Sequence, residues 1–553
     1  MMSDSGDAAN WADAYDYIIV GAGSAGCVLA NRLSADPTAK VALVEAGGRD
    51  TNIWIHIPAG YYRNILNPNI TWQFGSGPEP FLDGRTINWP RGRVLGGSSA
   101  INGLLYVRGQ AEDYDHWRQL GNAGWSFEDV LPYFKRSERQ ERGGDELHGG
   151  DGPLGVSDVK MDNPLCDAFI ESAVAEGIPL TRDFNGPNQE GVGYYQFTTW
   201  KGRRSTTAVA YLNPVKSRPN LTILPDTMTH RILLDGKRIS GIEVSQGGRR
   251  RAIRARREVI LAAGAIGSPQ LMQVSGIGPR DVLEKVGVAV IHPMEGVGRN
   301  LQDHYQARLV YEMRGRGSLN EVWHSRLKQL EVGLDFILRR RGLLTIGAAV
   351  AGAFVKSHPD LPTPDIQFHF MPLSGEGPGK GLHKFPGVIL SAAQLRPESR
   401  GTLEIISPDA SVAPRIVTNY LAEEVDQRIL LDAMRLARRI AARPPFADLT
   451  VREVVPGSAA KSDDDMMKFA RQTGTTIFHP CGTIKMGRDA MSVVDDRLRV
   501  IGLTGLRVAD ASIMPTMTSG NTNAPTIMIG EKAADMILAD HRSGQTSLTQ
   551  NVA

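Results

Sequence analysis

Apolar positions along the 553-residue chain come in two kinds, continuous runs and alternating stretches. Tyr17-Ile18-Ile19-Val20 is continuous and rich in β-branched residues, which suits a parallel strand buried on both faces. Gly21-Ala22-Gly23-Ser24-Ala25-Gly26 follows. Residues 27–33 then read as a helix, with apolar side chains at 28, 29, 30 and 33. Val41-Ala42-Leu43-Val44 is a second buried strand and ends at Glu45, so the opening segment is one βαβ unit. Residues 46–122, rich in Gly, Pro, Asn and Trp, read as long ordered loop. A helix is predicted over 163–177. Alternating segments at 221–224, 231–234 and 242–244, with turns at Asp235-Gly236 and Gly247-Gly248, predict a small antiparallel sheet. Residues 258–264 predict another buried strand, 388–419 mostly strand, 430–442 a helix, 506–509 a late strand and 524–539 a late helix. The polar tail 541–553 reads as frayed.

Composition narrows the class. Apolar residues make up 41% of the chain, enough for a large buried core. Sixty-two basic against sixty acidic residues give +2, so no global field points to nucleic acid. Cys27, Cys166 and Cys481 lie too far apart for a disulfide framework, and no metal-ligand spacing occurs, so a reducing, cytoplasmic setting and no metal are expected. No secretory leader pattern and no apolar run of membrane-spanning length is visible. Basic clusters at 249–257 and at Arg339, Arg340 and Arg341 read as solvated surface, with peripheral contact to the inner face of an anionic membrane as the alternative. The 60 glycines are the anomaly: with no low-complexity repeat to hold them, they belong where backbone approaches a large ligand.

Gly21-x-Gly23-x-x-Gly26 stands between a buried strand and a helix, the context a dinucleotide fingerprint requires. Gly21 serves the turn, Gly23 the approach to a pyrophosphate, and Gly26 the helix–strand packing. The helix start at Ser24 and Ala25 offers N–H donors to phosphate. Glu45, with Ala46 behind it, is placed to accept from a ribose hydroxyl. This motif leaves FAD and NAD both open.

Three further stretches separate them. Arg91-Gly92-Arg93-Val94-Leu95-Gly96-Gly97-Ser98-Ser99-Ala100-Ile101-Asn102-Gly103 resembles the first signature of the glucose–methanol–choline (GMC) oxidoreductases, FAD-dependent alcohol oxidases and dehydrogenases. Gly264-Ala265-Ile266-Gly267-Ser268-Pro269-Gln270-Leu271-Met272-Gln273-Val274-Ser275-Gly276-Ile277-Gly278 resembles the second. Asn521-Thr522-Asn523-Ala524-Pro525 matches near the C-terminus. The resemblance implies an α/β architecture: a discontinuous Rossmann-like FAD-binding domain (15–160, 204–305 and 490–540) plus an α+β substrate domain (161–203 and 306–489) with a large antiparallel sheet. It implies that Leu95, Gly97, Ser98, Asn102, Gly103 and Leu104 line the flavin and pyrophosphate, that Met228 meets adenine, and that Ala263 closes over the dinucleotide. Asp510 and Ala511 would contact the phosphate and ribityl chain, and Asn521 and Pro525 the pyrimidine end. Some relatives attach FAD through a histidine where this chain has Ile101, so FAD is expected to be non-covalent.

The resemblance also implies chemistry. His479, beside Phe478, and Asn523, 44 residues later, correspond to the family's His–Asn pair facing the flavin. A neutral imidazole accepts the alcohol proton, the amide holds the oxygen, and hydride passes to flavin N5. Choline-oxidising relatives hold the substrate cation with a glutamate, and the matching position falls near Val350; with Phe354 and Phe370 it suggests an apolar pocket for a neutral primary alcohol, aliphatic or aromatic, oxidised to the aldehyde. Oxygen or a quinone or cytochrome would reoxidise the flavin. The alternative is a lyase or decarboxylase that retains FAD without net alcohol oxidation. His56, His304, His369 and His383 read as structural or surface residues.

Overall fold

A computed structural model describes residues 14–377 and 380–550, with residues 543–550 as backbone only. The first strand, β1 (Ala14–Val20), lies between β2 (Val41–Val44) and the long strand Arg249–Leu261, parallel to both. All but the first residue of β1 and all of β2 are buried, which is why both read as unbroken apolar runs. Leu221–Leu224 extends the sheet beside β2, and Leu506–Val508 pairs with the end of Arg249–Leu261, again in parallel. Helix α1 (Ser24–Leu33) joins β1 to β2 and is covered by the last helix, which begins at Asn523. Arg32 and Arg136 pair there with the fully buried Glu531, at 2.7 and 2.8 Å, and Tyr211 donates to the same carboxylate.

Four expectations change here. Leu221–Leu224 does not belong to a small separate antiparallel sheet; its parallel pairing places it in the main one. The stretches around 249–257 and 258–264 are one strand of 13 residues. Its first half pairs antiparallel with Arg238–Gln246, and from Arg254 onward it runs parallel to β1. The basic cluster 249–257 therefore lies on a largely exposed ribbon, where Arg250 meets Glu243 at 3.0 Å. Residues 46–122 are not one loop: they hold the short helices Ile53–His56 and Tyr61–Asn64, a hairpin of Thr71–Gly75 with Asn88–Gly92, and the helix Ala111–Gln119. The last helix continues to Gln550, past the start of the expected frayed tail; 551–553 fall outside the described residues, as do 1–13 of the acidic N-terminus.

The second sheet is antiparallel, in the order Thr450–Val455, Tyr305–Met313, Gly387–Gln394, Ile366–Met371, Ala351–Val355 and Gly191–Tyr194. Helices Pro164–Ala175 and Glu424–Ala441 pack on one face. Strand alternation sends Phe368 and Phe370 toward these helices, where Phe370 stacks on Phe169 with ring centroids 4.7 Å apart. It sends Gln306, Arg308, His369, Met371 and Ile389 the other way, into a cavity of about 470 Å³ shared with the first sheet.

Candidate active site

One end of the cavity is formed by backbone. Gly21, Gly23, Ser24 and Ala25 line it from the β1–α1 turn, and Gly97, Ser98, Asn102, Gly103 and Leu104 line it from the segment opposite. The two are in close contact: a Cβ on Gly97, whose φ is +53°, would lie 2.6 Å from the Cα of Gly23. No side chain caps α1, which leaves its first-turn N–H groups for an anion. Glu45 and Ala46 also line this end. Glu45 accepts from the backbone N–H of Ala22 (2.9 Å) and of Gly47 (2.8 Å), and burial pushes its carboxyl up to about 7. Asp510 and Ala511, just after Leu506–Val508, complete the floor with Met228 and Ala263. Asp510 accepts from Ser268 Oγ (2.6 Å) and from the N–H groups of Gly264 and Ser512 (2.9 and 2.8 Å); its pKa is raised by burial. Close-approach backbone, an uncapped helix start and a buried carboxyl beside the second strand fit a dinucleotide. Ile101 presents only carbon to the cavity.

Three expected cofactor residues stand behind this surface. Gly26 faces the turn, where a Cβ would be 1.8 Å from the Gly21 carbonyl; Leu95 packs in the core; Pro525 is buried in the first turn of the last helix.

The other end holds the imidazole. His479, only 7% exposed, lines the cavity with Phe478, and its backbone is fixed from several sides. Arg91 Nη1 donates to the Phe478 carbonyl (2.7 Å), and the His479 N–H donates to Asp303 Oδ1 (2.7 Å). Thr476 and Tyr420 hydroxyls donate to the other Asp303 oxygen. Burial raises the Asp303 pKa to about 6.

The ring's hydrogen bonds determine its tautomer. His304 Nε2 lies 2.8 Å from the Leu395 carbonyl, which can only accept, so that nitrogen carries the proton. Burial lowers the His304 pKa to about 4, so its Nδ1 is bare. His479 Nδ1, 3.0 Å away, must therefore donate to it. That leaves His479 Nε2 unprotonated, receiving an N–H from Asn521 Nδ2 at 3.1 Å. Gln367 Nε2, 3.5 Å from the Asn521 oxygen, favours that amide orientation. Burial, then repulsion from His304, His369 and Arg91, keeps the His479 pKa well below the usual imidazole value. A lone pair of a neutral imidazole thus faces the cavity, the arrangement of a general base.

Several expected placements are corrected. The amide beside His479 is Asn521, not Asn523: Asn523 opens the last helix and its Oδ1 accepts from Ser24 Oγ (2.8 Å), across the nucleotide end. Val350, Phe354 and Phe370 do not line the cavity; all three are fully buried in the second sheet's core, Phe354 against Phe184 and Tyr195. The alternation of Ile366–Met371 gives the cavity His369 and Met371 instead. His304 and His369, read as structural or surface residues, belong to the site. Burial lowers the His369 pKa to about 3, and neither of its ring nitrogens has a partner. Gln306 and Arg308 also line the cavity, and their one signal in the sequence is the polar run Gln302-Asp303-His304 immediately before a buried strand. Tyr61, Tyr62, Trp72 and Phe74 add an aromatic wall. Among the described residues, the lining has two carboxyls, Glu45 and Asp510, both at the nucleotide end.

Comparison with known proteins follows this geometry. Residues 15–306 and 397–530 match the N- and C-terminal family models described as GMC oxidoreductase. The chain is 43% identical to an oxygen-dependent choline dehydrogenase of Photobacterium profundum, over 95% of this chain and 93% of that one. It is 42% identical to an alcohol dehydrogenase (acceptor) of Pseudomonas putida, over 95% and 96%. The crystal structure of pyridoxine 4-oxidase from Mesorbium loti superposes with a TM-score of 0.85 at 32% identity, covering 94% of this chain and 98% of that one.

Proposed function

Because the chain belongs to the GMC oxidoreductase family, flavoproteins that act on CH–OH donors with FAD, we propose that it oxidises an uncharged primary alcohol to the aldehyde with His479 as base. The observation that carries this reading is the unprotonated Nε2 of His479, held toward the cavity beside Asn521 through His304 and the Leu395 carbonyl. Bound FAD supplies the acceptor for the hydride. The residues at the glycine-lined end, from Gly21 to Ala25 and from Gly97 to Leu104, would hold its dinucleotide part. His479 Nε2 takes the hydroxyl proton, and the Asn521 Nδ2 donor holds the substrate oxygen in line. The proton stays on Nε2, because Nδ1 already carries one toward His304.

The absence of a charge on the substrate is supported by the catalytic end itself. A trimethylammonium group would meet the buried guanidinium of Arg308 with no carboxylate among the described lining residues at that end, so like-charge repulsion opposes the cation that the aromatic wall by itself would attract. Ile101 has no nucleophile, which supports non-covalent FAD. The test is anaerobic: a panel of alcohols is added to the yellow enzyme and the flavin band is followed. Bleaching by neutral primary alcohols, and little by choline, is expected. No bleaching by any alcohol would overturn the reading in favour of a lyase or decarboxylase. Admitting air then sorts oxygen from a quinone or cytochrome as acceptor, and acid precipitation should leave all the flavin in solution.

A further inference from the structure

The helix Arg326–Arg339 has its apolar side outward. Leu327 (81% exposed), Leu330 (62%), Leu334 (49%), Ile337 (64%) and Leu338 (76%) recur at positions 2, 5, 9, 12 and 13 of the helix, a single stripe about 100° wide at 3.6 residues per turn. Phe336, on the opposite side, is its one buried residue and faces the protein body. A globular protein ordinarily turns such a stripe inward, so an uncovered one marks an interaction surface.

Charge identifies what would cover it. Arg326, Lys328, Arg339 and Arg341 are exposed beside the stripe or just beyond its end, against Glu331, Asp335 and Glu321, which pairs with Lys328 at 2.7 Å. Arg314 and Arg316, also exposed, stand in the preceding loop. Apolar side chains flanked by a surplus of cations match the headgroup–acyl boundary of an anionic bilayer. No described helix is long and apolar enough to cross a membrane, so the fit is for a helix lying in the surface plane. The position matters too. Trp323, one turn before this helix, packs edge-on against Tyr62 with centroids 5.8 Å apart, and His324 Nε2 is 3.2 Å from the Leu382 carbonyl. Tyr62 and Leu382 both line the cavity.

We propose that the outward face of Arg326–Arg339 docks on an anionic lipid surface, with the substrate end of the cavity beside that surface. Apolar alcohols or a lipid-soluble electron acceptor would then reach the site from the bilayer. The docking does not depend on the alcohol reading, because it is measured without turnover.

The test is co-sedimentation of the flavin-loaded enzyme with vesicles of phosphatidylcholine alone or with one-quarter phosphatidylglycerol. Wild type should pellet with the phosphatidylglycerol vesicles and release at high salt. L330E/I337E should weaken binding about tenfold or more, and R339Q/R341Q several-fold, with a shallower salt dependence. Both variants should keep their flavin and their rate on a small water-soluble alcohol. The proposal is overturned if wild type stays in the supernatant, or if L330E/I337E binds as wild type does. It is also overturned if gel filtration shows a dimer that L330E/I337E splits while neither form binds vesicles, since the face would then meet a second copy of this chain.

Discussion

The two ends of the cavity treat their polar groups in opposite ways. At the nucleotide end the side-chain donors and acceptors are largely spent: Glu45 on two backbone N–H groups, Asp510 on Ser268, Ser512 and Gly264. What remains for a ligand there is backbone, at closest approach, and the start of α1. At the catalytic end groups are left wanting. Both nitrogens of His369 and the Nε of Arg308 have no partner, and the unprotonated Nε2 of His479 is met only by the Asn521 amide. Unsatisfied buried groups cost stability, about 1–3 kcal/mol each, so a fold retains them where a ligand completes them. One end is shaped to hold a group permanently; the other is left incomplete for a group that comes and goes.

The sharpest way to break this contrast is at the permanent end. Gly97→Val places a branched side chain where even a Cβ would be 2.6 Å from the Gly23 Cα. The purified variant should be colourless, with no recoverable FAD and no activity. A yellow, active variant would mean that the cradle is elsewhere.

At the incomplete end, His479→Ala should keep full flavin yet slow its anaerobic reduction by about 10²–10⁴-fold, the usual worth of a general base. Stopped-flow bleaching reads this directly.

Next comes the pair of asparagines, which tests both ends at once. Asn521→Ala removes the donor to His479 Nε2 and should slow reduction by about tenfold or more, with flavin content unchanged. Asn523→Ala removes the bond from Ser24 and should leave the reduction rate within about twofold, while lowering stability by about 1 kcal/mol in denaturant titration. A reversal of those two outcomes would return the catalytic role to Asn523.

The smallest effect is with pH. On the proposed mechanism the neutral imidazole is the active form, and burial holds its pKa well below the ordinary value of about 6.5. The reduction rate should therefore be flat from about pH 6.5 upward and fall only at more acid pH. A midpoint at or above 6.5 would show that the buried His304–His479 pair does not set the charge state.

The same contrast explains what could be read along the chain. The nucleotide end is built from contiguous segments, each completing its geometry within a dozen residues, so Gly21 to Ala25 and Gly97 to Leu104 are legible as motifs. The second sheet's face is assembled from strands scattered between 191 and 455. Which residues of Ile366–Met371 face the cavity depends on a period of two, and a shift of one position exchanges Phe370 for His369. Asn521 and Asn523 stand two apart at a loop–helix junction, where no periodicity says which points where. His304 reaches His479 only because Tyr305 pairs with Thr476, a register that no local pattern encodes.

The buried Glu531 bears on the order of synthesis. It is clasped by Arg32 from the first helix and by Arg136 from the helix Phe127–Ser137, yet it belongs to the last helix. The strand Leu506–Val508 is likewise a late addition beside residues near 260. A ribosome that has made the first three hundred residues has thus produced the glycine turn but neither Asp510 nor the helix that backs it. The glycine-lined end is therefore incomplete until the segment from Leu506 onward has been made and has folded back beside residues near 260.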